Sequence, residues 1–143
     1  MRKLKLWIAR LIARYASVSS PKDSVVLYSV SFLPTQENRD KAIKFVEENK
    51  GWGTLASTPC GNFLLVLGLE NGKEKPDKEI FDIWVIASKR FIRKASGAMK
   101  AFVDGADPRS TFVSVELPLI LENPAITTIN GEDKTTFAQR FKS

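Results

Sequence analysis

The chain has 143 residues, a formal charge of +6 and a pI near 9.6, with 43% hydrophobic and 27% charged residues. That balance excludes a disordered chain and suits one domain with a proper core. The absence of histidine removes the usual general base and the commonest metal ligand together; the single cysteine, Cys60, excludes an internal disulfide and a cysteine-built metal site.

The basic balance favours acidic partners: nucleic acid, an anionic membrane surface or an acidic protein face. No run approaches the roughly 20 apolar residues of a spanning helix. In residues 1–20, Leu4, Trp7, Ile8, Leu11, Ile12 and Tyr15 recur at helical spacing, flanked by Arg2, Lys3, Lys5, Arg10 and Arg14. Such a basic amphipathic helix suits docking on the protein's own core or on a partner, which is the preferred reading. It also suits an anionic membrane surface, or a mitochondrial transit peptide, since no acidic residue precedes Asp23. The location expected is intracellular, cytoplasmic or mitochondrial.

Residues 17–22 read as a short linker. Residues 24–33 predict a strand with Val26, Tyr28, Val30 and Phe32 on one face, ended by Pro34. Thr35 is placed to cap a helix over 36–49 that buries Ala42, Ile43, Phe45 and Val46 and stops at Gly51. A second strand is predicted over 52–58. Pro59, Cys60, Gly61 and Asn62 supply turn chemistry, and the unbroken apolar run over 63–69 predicts a central third strand. Residues 71–75 form a polar loop.

The stretch 77–105 predicts one long helix. Ile80, Trp84, Ala87, Phe91, Ala95, Ala98 and Phe102 make its apolar stripe, with Pro76 and Asp77 at the entrance and Gly105 at the exit. A strand over 80–87 followed by a shorter helix capped by Ser88 is the alternative, because Ile, Phe, Trp and Val favour strands. After a turn at 106–109, residues 110–117 alternate as a fourth strand containing Phe112 and Val115. The order strand, helix, strand, strand, helix, strand is that of an α+β, ferredoxin-like split βαβ (βαββαβ) sandwich with an extra N-terminal helix and a C-terminal extension. The expected divisions are 1–20, 21–122 and 123–143. Asn130 and Gly131, between 126–129 and 135–137, point to a small hairpin. Phe137, Arg140 and Phe141 suit docking on a partner, or packing of the two rings on the home domain.

Cys60 reads as a structural or incidental cysteine, since no histidine is present to activate it. Gly51-Trp52-Gly53 lacks the Gly-Lys-Ser/Thr of a phosphate loop, and residues 105–110 lack the strand-to-helix context of one. Glu47 with Glu48, and Glu132 with Asp133, read as solvated faces. Lys50-Gly51-Trp52-Gly53-Thr54, after a helix and entering a strand, is similar to a short stretch of the RraB-type ribonuclease E inhibitors, an acidic family from which nothing is carried over.

No catalytic, cofactor-binding or metal-ligating residue is assigned, and no enzyme is expected. The expected function is that of a non-enzymatic interaction protein, a small basic accessory or structural subunit docking through Leu4, Trp7, Ile8, Leu11, Phe137 and Phe141. The alternatives are a nucleic-acid-binding protein using Arg2, Arg10, Arg14, Lys89, Arg90, Arg93 and Lys100, and a membrane-surface protein.

Overall fold

The computed structural model describes residues 2–30, 32–69 and 78–141. Its centre is a four-stranded sheet in the order β1 (Val25–Tyr28), β2 (Gly97–Phe102), β3 (Ile126–Ile129) and β4 (Glu132–Asp133). The first three strands are parallel, with Val25 opposite Met99 and Met99 opposite Ile129. Only β4 is antiparallel, joined to β3 by the tight turn Asn130-Gly131, both at positive φ (53° and 81°).

Parallel strands need crossover connections, and the resulting helices cover both faces of the sheet. On one face lies α2 (Glu37–Glu48). Its Phe45 meets Phe102 at 5.7 Å and Trp52 edge-on at 5.5 Å, and the Lys100 ammonium sits over the Phe45 and Phe102 rings. The other face holds the main core. There α1 (Arg2–Tyr15), α3 (Pro59–Val66), α4 (Lys78–Lys94), α5 (Leu117–Glu122) and α6 (Lys134–Ala138) pack Ala9, Leu64, Ile83, Phe91, Ile92, Met99, Phe112, Ile120 and Phe137 together. Val25, Val26 and Leu27 are therefore all buried, instead of alternating.

This architecture corrects the ferredoxin-like expectation, and each departure has a local cause. The helix expected to continue through 105 stops at Lys94. Gly97 turns the chain with φ +79°, and the Asn123 side chain donates to the Ile92 and Ala95 carbonyls at 2.9 and 3.0 Å, closing the helix end. Ala98 and Phe102 stay in phase with the α4 stripe by coincidence. They belong to β2, whose period-2 burial places Met99 and Ala101 inward.

The strand expected over 63–69 is instead α3. Thr58 is its N-cap, its side chain accepting from Gly61 N–H at 3.1 Å, and Pro59 fills the first turn. The strand expected over 52–58 reduces to a single bridge from Gly53 to Val25 and a 3-10 turn, Leu55–Ser57. The strand expected over 110–117 is helical. The hairpin arm expected at 135–137 lies within α6, capped by Asp133, whose carboxylate accepts from the Thr135 and Thr136 amides. The loop expected at 71–75 and the helix entrance at Pro76 and Asp77 lie outside the described residues.

Candidate active site

The chain leaves the carboxyl end of β2, passes through 103–109 and enters a helical segment that starts irregularly. Phe112–Glu116 winds as a π-helix, and the Leu117 amide bonds back five residues to the Phe112 carbonyl. Pro118 supplies a physical reason. It has no N–H to give the Ser114 carbonyl, and its ring crowds that carbonyl, so the turn before it widens. Single π turns of this kind recur at functional sites. The segment is pinned by Phe112, which meets Phe137 at 6.5 Å and Phe141 at 5.7 Å, both edge-on. Ser110, fully buried, starts the segment: its carbonyl accepts from the Ser114 hydroxyl at 2.6 Å, and its own hydroxyl accepts from the Val113 amide at 3.2 Å.

The widened turn delivers Glu116 into the interior. Only 9% of its surface is exposed, and the Ser88 hydroxyl of α4, itself 5% exposed, donates to its Oε2 at 2.5 Å. Burial pushes the Glu116 carboxyl up to about 7, and the Ser88 hydrogen bond opposes that rise only in part. Holding the charged form here costs about 3 kcal/mol relative to water. A carboxyl poised near neutrality, with a hydroxyl aimed at it, is more than core packing requires. One turn before Ser88 on α4, and therefore on the same side of it, lies half-buried Trp84, whose indole N–H donates to the Leu69 carbonyl at 2.7 Å.

A groove of about 310 Å³ opens at the carboxyl ends of β1 and β2, where open α/β sheets bind ligands. Pro34, Thr35, Lys41 and Asp104 are among its walls. The Asn38 amide ties the two loops behind it, donating to the Ser29 and Asp104 carbonyls at 2.9 and 3.0 Å. Among the described residues, no group of three or more metal-ligating side chains is placed to hold a metal ion.

The residues singled out from the sequence lie elsewhere. Leu4, Trp7, Ile8 and Leu11 are exposed on α1, which buries the smaller Ala9 and Ala13 together with Leu6. Phe137 is buried, and Phe141 packs beside it under the π segment. The basic residues are spread over α1, α4 and β2. Arg2 and Arg14 are exposed on α1, and Arg10 pairs with Glu79. Lys89 and Arg93 are exposed on α4, whereas Lys100 lies on the α2 side of the sheet. Arg90 is turned inward, donating to the Ala13 and Ala16 carbonyls at 2.6 and 2.8 Å. Cys60 is fully buried, donates to the Ile12 carbonyl, and has a thiol pKa raised by burial, which rules out a ready thiolate nucleophile. Sequence reasoning missed Glu116, Ser88 and Trp84 as a group. One signal was present: a lone carboxylate in the otherwise apolar run from Val115 to Leu121.

No protein-family model matches the chain, and no curated protein does. Solved structures do. A crystal structure of ADP ribosyl cyclase complexed with N1-cIDPR superimposes with a TM-score of 0.57 at 17% identity, over 87% of this chain and 61% of that one. Aplysia cyclase complexed with substrate NGD and product cGDPR matches with 0.57 at 19% identity, over the same shares. Porcine CD38 with a covalent intermediate, ribo-F-ribose-5'-phosphate, matches with 0.56 at 19% identity, over 96% of this chain and 79% of that one. The chain spans less than two thirds of the length of the cyclases it matches. At these identities it is the fold that is shared, and it is the fold of enzymes. This overturns the expectation of a non-enzymatic accessory subunit and leaves the nucleic-acid alternative without support.

Proposed function

We propose that the chain is a glycosyl-transfer enzyme that breaks the bond between a ribose anomeric carbon and a nicotinamide nitrogen in a dinucleotide, with Glu116 as its catalytic carboxylate. The observation that carries this reading is Glu116 itself: buried, raised to about 7, presented by a π turn and held by Ser88. The fold neighbours supply the reaction class. One binds NGD as substrate, one carries a covalent intermediate, and one was studied as a glutamate-to-alanine mutant.

The chemistry follows from the charge pattern. NGD, nicotinamide guanine dinucleotide, carries a positive pyridinium on its ribose. When the C1′–N bond breaks, its electron pair goes to the nitrogen, neutral nicotinamide leaves, and positive charge appears on the ribose. A dehydrated carboxylate beside C1′ stabilises that charge more strongly than water does, and can capture it as an ester. The acceptor, water or a nitrogen of the substrate's own base, then displaces the carboxylate. The incoming pyridinium favours the ionised form of Glu116, so substrate and reactive carboxylate arrive together. Ser88 orients the carboxylate, and Trp84 offers an aromatic surface to the flat cationic ring.

The test is nicotinamide release from NGD and its adenine counterpart, followed by chromatography. Release by the wild-type chain, abolished by Glu116→Ala with unchanged circular dichroism, is the expected result. Release that survives the substitution would overturn the assignment.

A further inference from the structure

Phe32 breaks two local rules at once. It is 61% exposed and held at φ +67°, in a turn closed by the Leu33 amide donating to the Val30 carbonyl at 3.1 Å. Glycine suits that position; a bulky aromatic there is strained. Its partner comes from the other loop. The Arg109 guanidinium lies over the Phe32 ring at 4.2 Å from the centroid. Asp107 fixes that guanidinium, accepting from Nε at 2.9 Å and Nη2 at 3.0 Å, and from the Arg109 amide at 2.8 Å. This leaves the Nη1 donors unused by Asp107. The stack therefore joins the loop after β1 to the loop after β2 at the carboxyl-end edge of the sheet. Arg109 also directly precedes the segment that carries Glu116. Residues 111–122 run as one continuous helical stretch that begins two residues after Arg109.

We infer that Phe32 and Arg109 form the subsite for the purine-nucleotide half of the substrate, the ring stacking on the base and the guanidinium taking the pyrophosphate. This rests on the dinucleotide reading above. A dinucleotide whose nicotinamide riboside meets Glu116 carries a pyrophosphate and a second nucleoside outward from that carboxylate, and Arg109, just before the Glu116 segment, with Phe32 stacked under it, offers a pre-oriented cation and a flat apolar ring to receive them. Aromatic faces take any base with little sequence demand, and a guanidinium fixed by a carboxylate pairs with phosphate oxygens without first losing its own freedom. The strain at Phe32 is what a structure tolerates when a side chain is kept for binding and not for folding.

The decisive variant is Phe32→Gly, because glycine adopts φ +67° without a Cβ penalty. The measurements are calorimetric binding of GDP, which is the purine half alone, and KM and kcat on NGD, each beside a melting curve. The expected result is GDP binding weakened by at least roughly fivefold, KM on NGD raised by a similar factor with kcat kept, and a melting temperature unchanged or higher. GDP binding that is absent from the wild type, or equal in the two proteins, overturns the subsite. So does a fall in melting temperature that accompanies the lost affinity, since it would mark Phe32 as structural. Phe32-dependent GDP binding in a wild-type chain that releases no nicotinamide keeps the nucleotide subsite and removes the Glu116 reading instead.

Discussion

Replacing Glu116 by glutamine should stabilise the protein while inactivating it, and the stabilisation should depend on pH. The amide keeps the size of the carboxyl and its hydrogen bond with Ser88, but it cannot ionise. In the folded chain the carboxyl is lifted by burial from 4.5 to about 7. Between those values the folded protein holds a proton that the unfolded chain has released, so stability falls as pH rises through the window. The neutral carboxyl carries no penalty below pH 4.5, and the full cost applies above pH 8. At about 1.4 kcal/mol per unit that cost reaches about 3 kcal/mol. Wild type and variant should therefore diverge from pH 4.5 to pH 8 by about 3 kcal/mol, which for a chain of this size is roughly 10 °C in Tm. Urea titrations of both proteins at several pH values measure the difference directly. Every other titrating group is common to the two and cancels, and any fixed cost of the buried amide appears as an offset independent of pH. A difference that stays constant from pH 4.5 to 8.5 would refute the argument, because it would mean that Glu116 is solvated and not held neutral. Gain of stability with loss of turnover is the usual signature of a group kept in an unfavourable place for chemistry.

Other substitutions test the scaffold beneath the site. Phe137→Ala removes the buried ring that meets Phe112, so urea unfolding should show a loss of about 3–5 kcal/mol together with weakened nicotinamide release as the π segment loosens. Gly97→Ala places a methyl group against the Asp23 carboxylate at φ +79°, and thermal melts should show destabilisation of more than about 1 kcal/mol. Arg90→Leu leaves the Ala13 and Ala16 carbonyls without their donor, costing about 1–3 kcal/mol, and hydrogen exchange should rise first at the end of α1.

Periodicity made the single helices legible. The helix expected over 36–49 lies at Glu37–Glu48, and the α4 stripe of Ile80, Trp84, Ala87 and Phe91 falls inside one helix. What periodicity did not reach were boundaries set by distant partners. The end of α4 is closed by Asn123, a residue that enters from after α5. The hydrophobic run 63–69 carries no information on helix against strand, and only the Thr58-Pro59 cap preceding it settles the question. The sheet's parallel order was hidden for the same reason: β1, β2 and β3 are short, and their pairing depends on crossovers, not on any local signal.

The stretch carrying the candidate site failed differently, and the failure is informative. Residues 110–117 alternate like a strand, yet Pro118 denies them a regular helix and tertiary packing denies them a sheet. Phe32 sits where glycine belongs, and Glu116 sits where leucine belongs. Each is a local rule broken at a cost, Phe32 in the loop after β1 and Glu116 in the helical segment that follows β2. A site that must hold a dehydrated carboxylate and an exposed aromatic gives a reason for both departures. The buried carboxyl and its place in the fold, more than any single distance, are what support the reading of Glu116 as the reactive group.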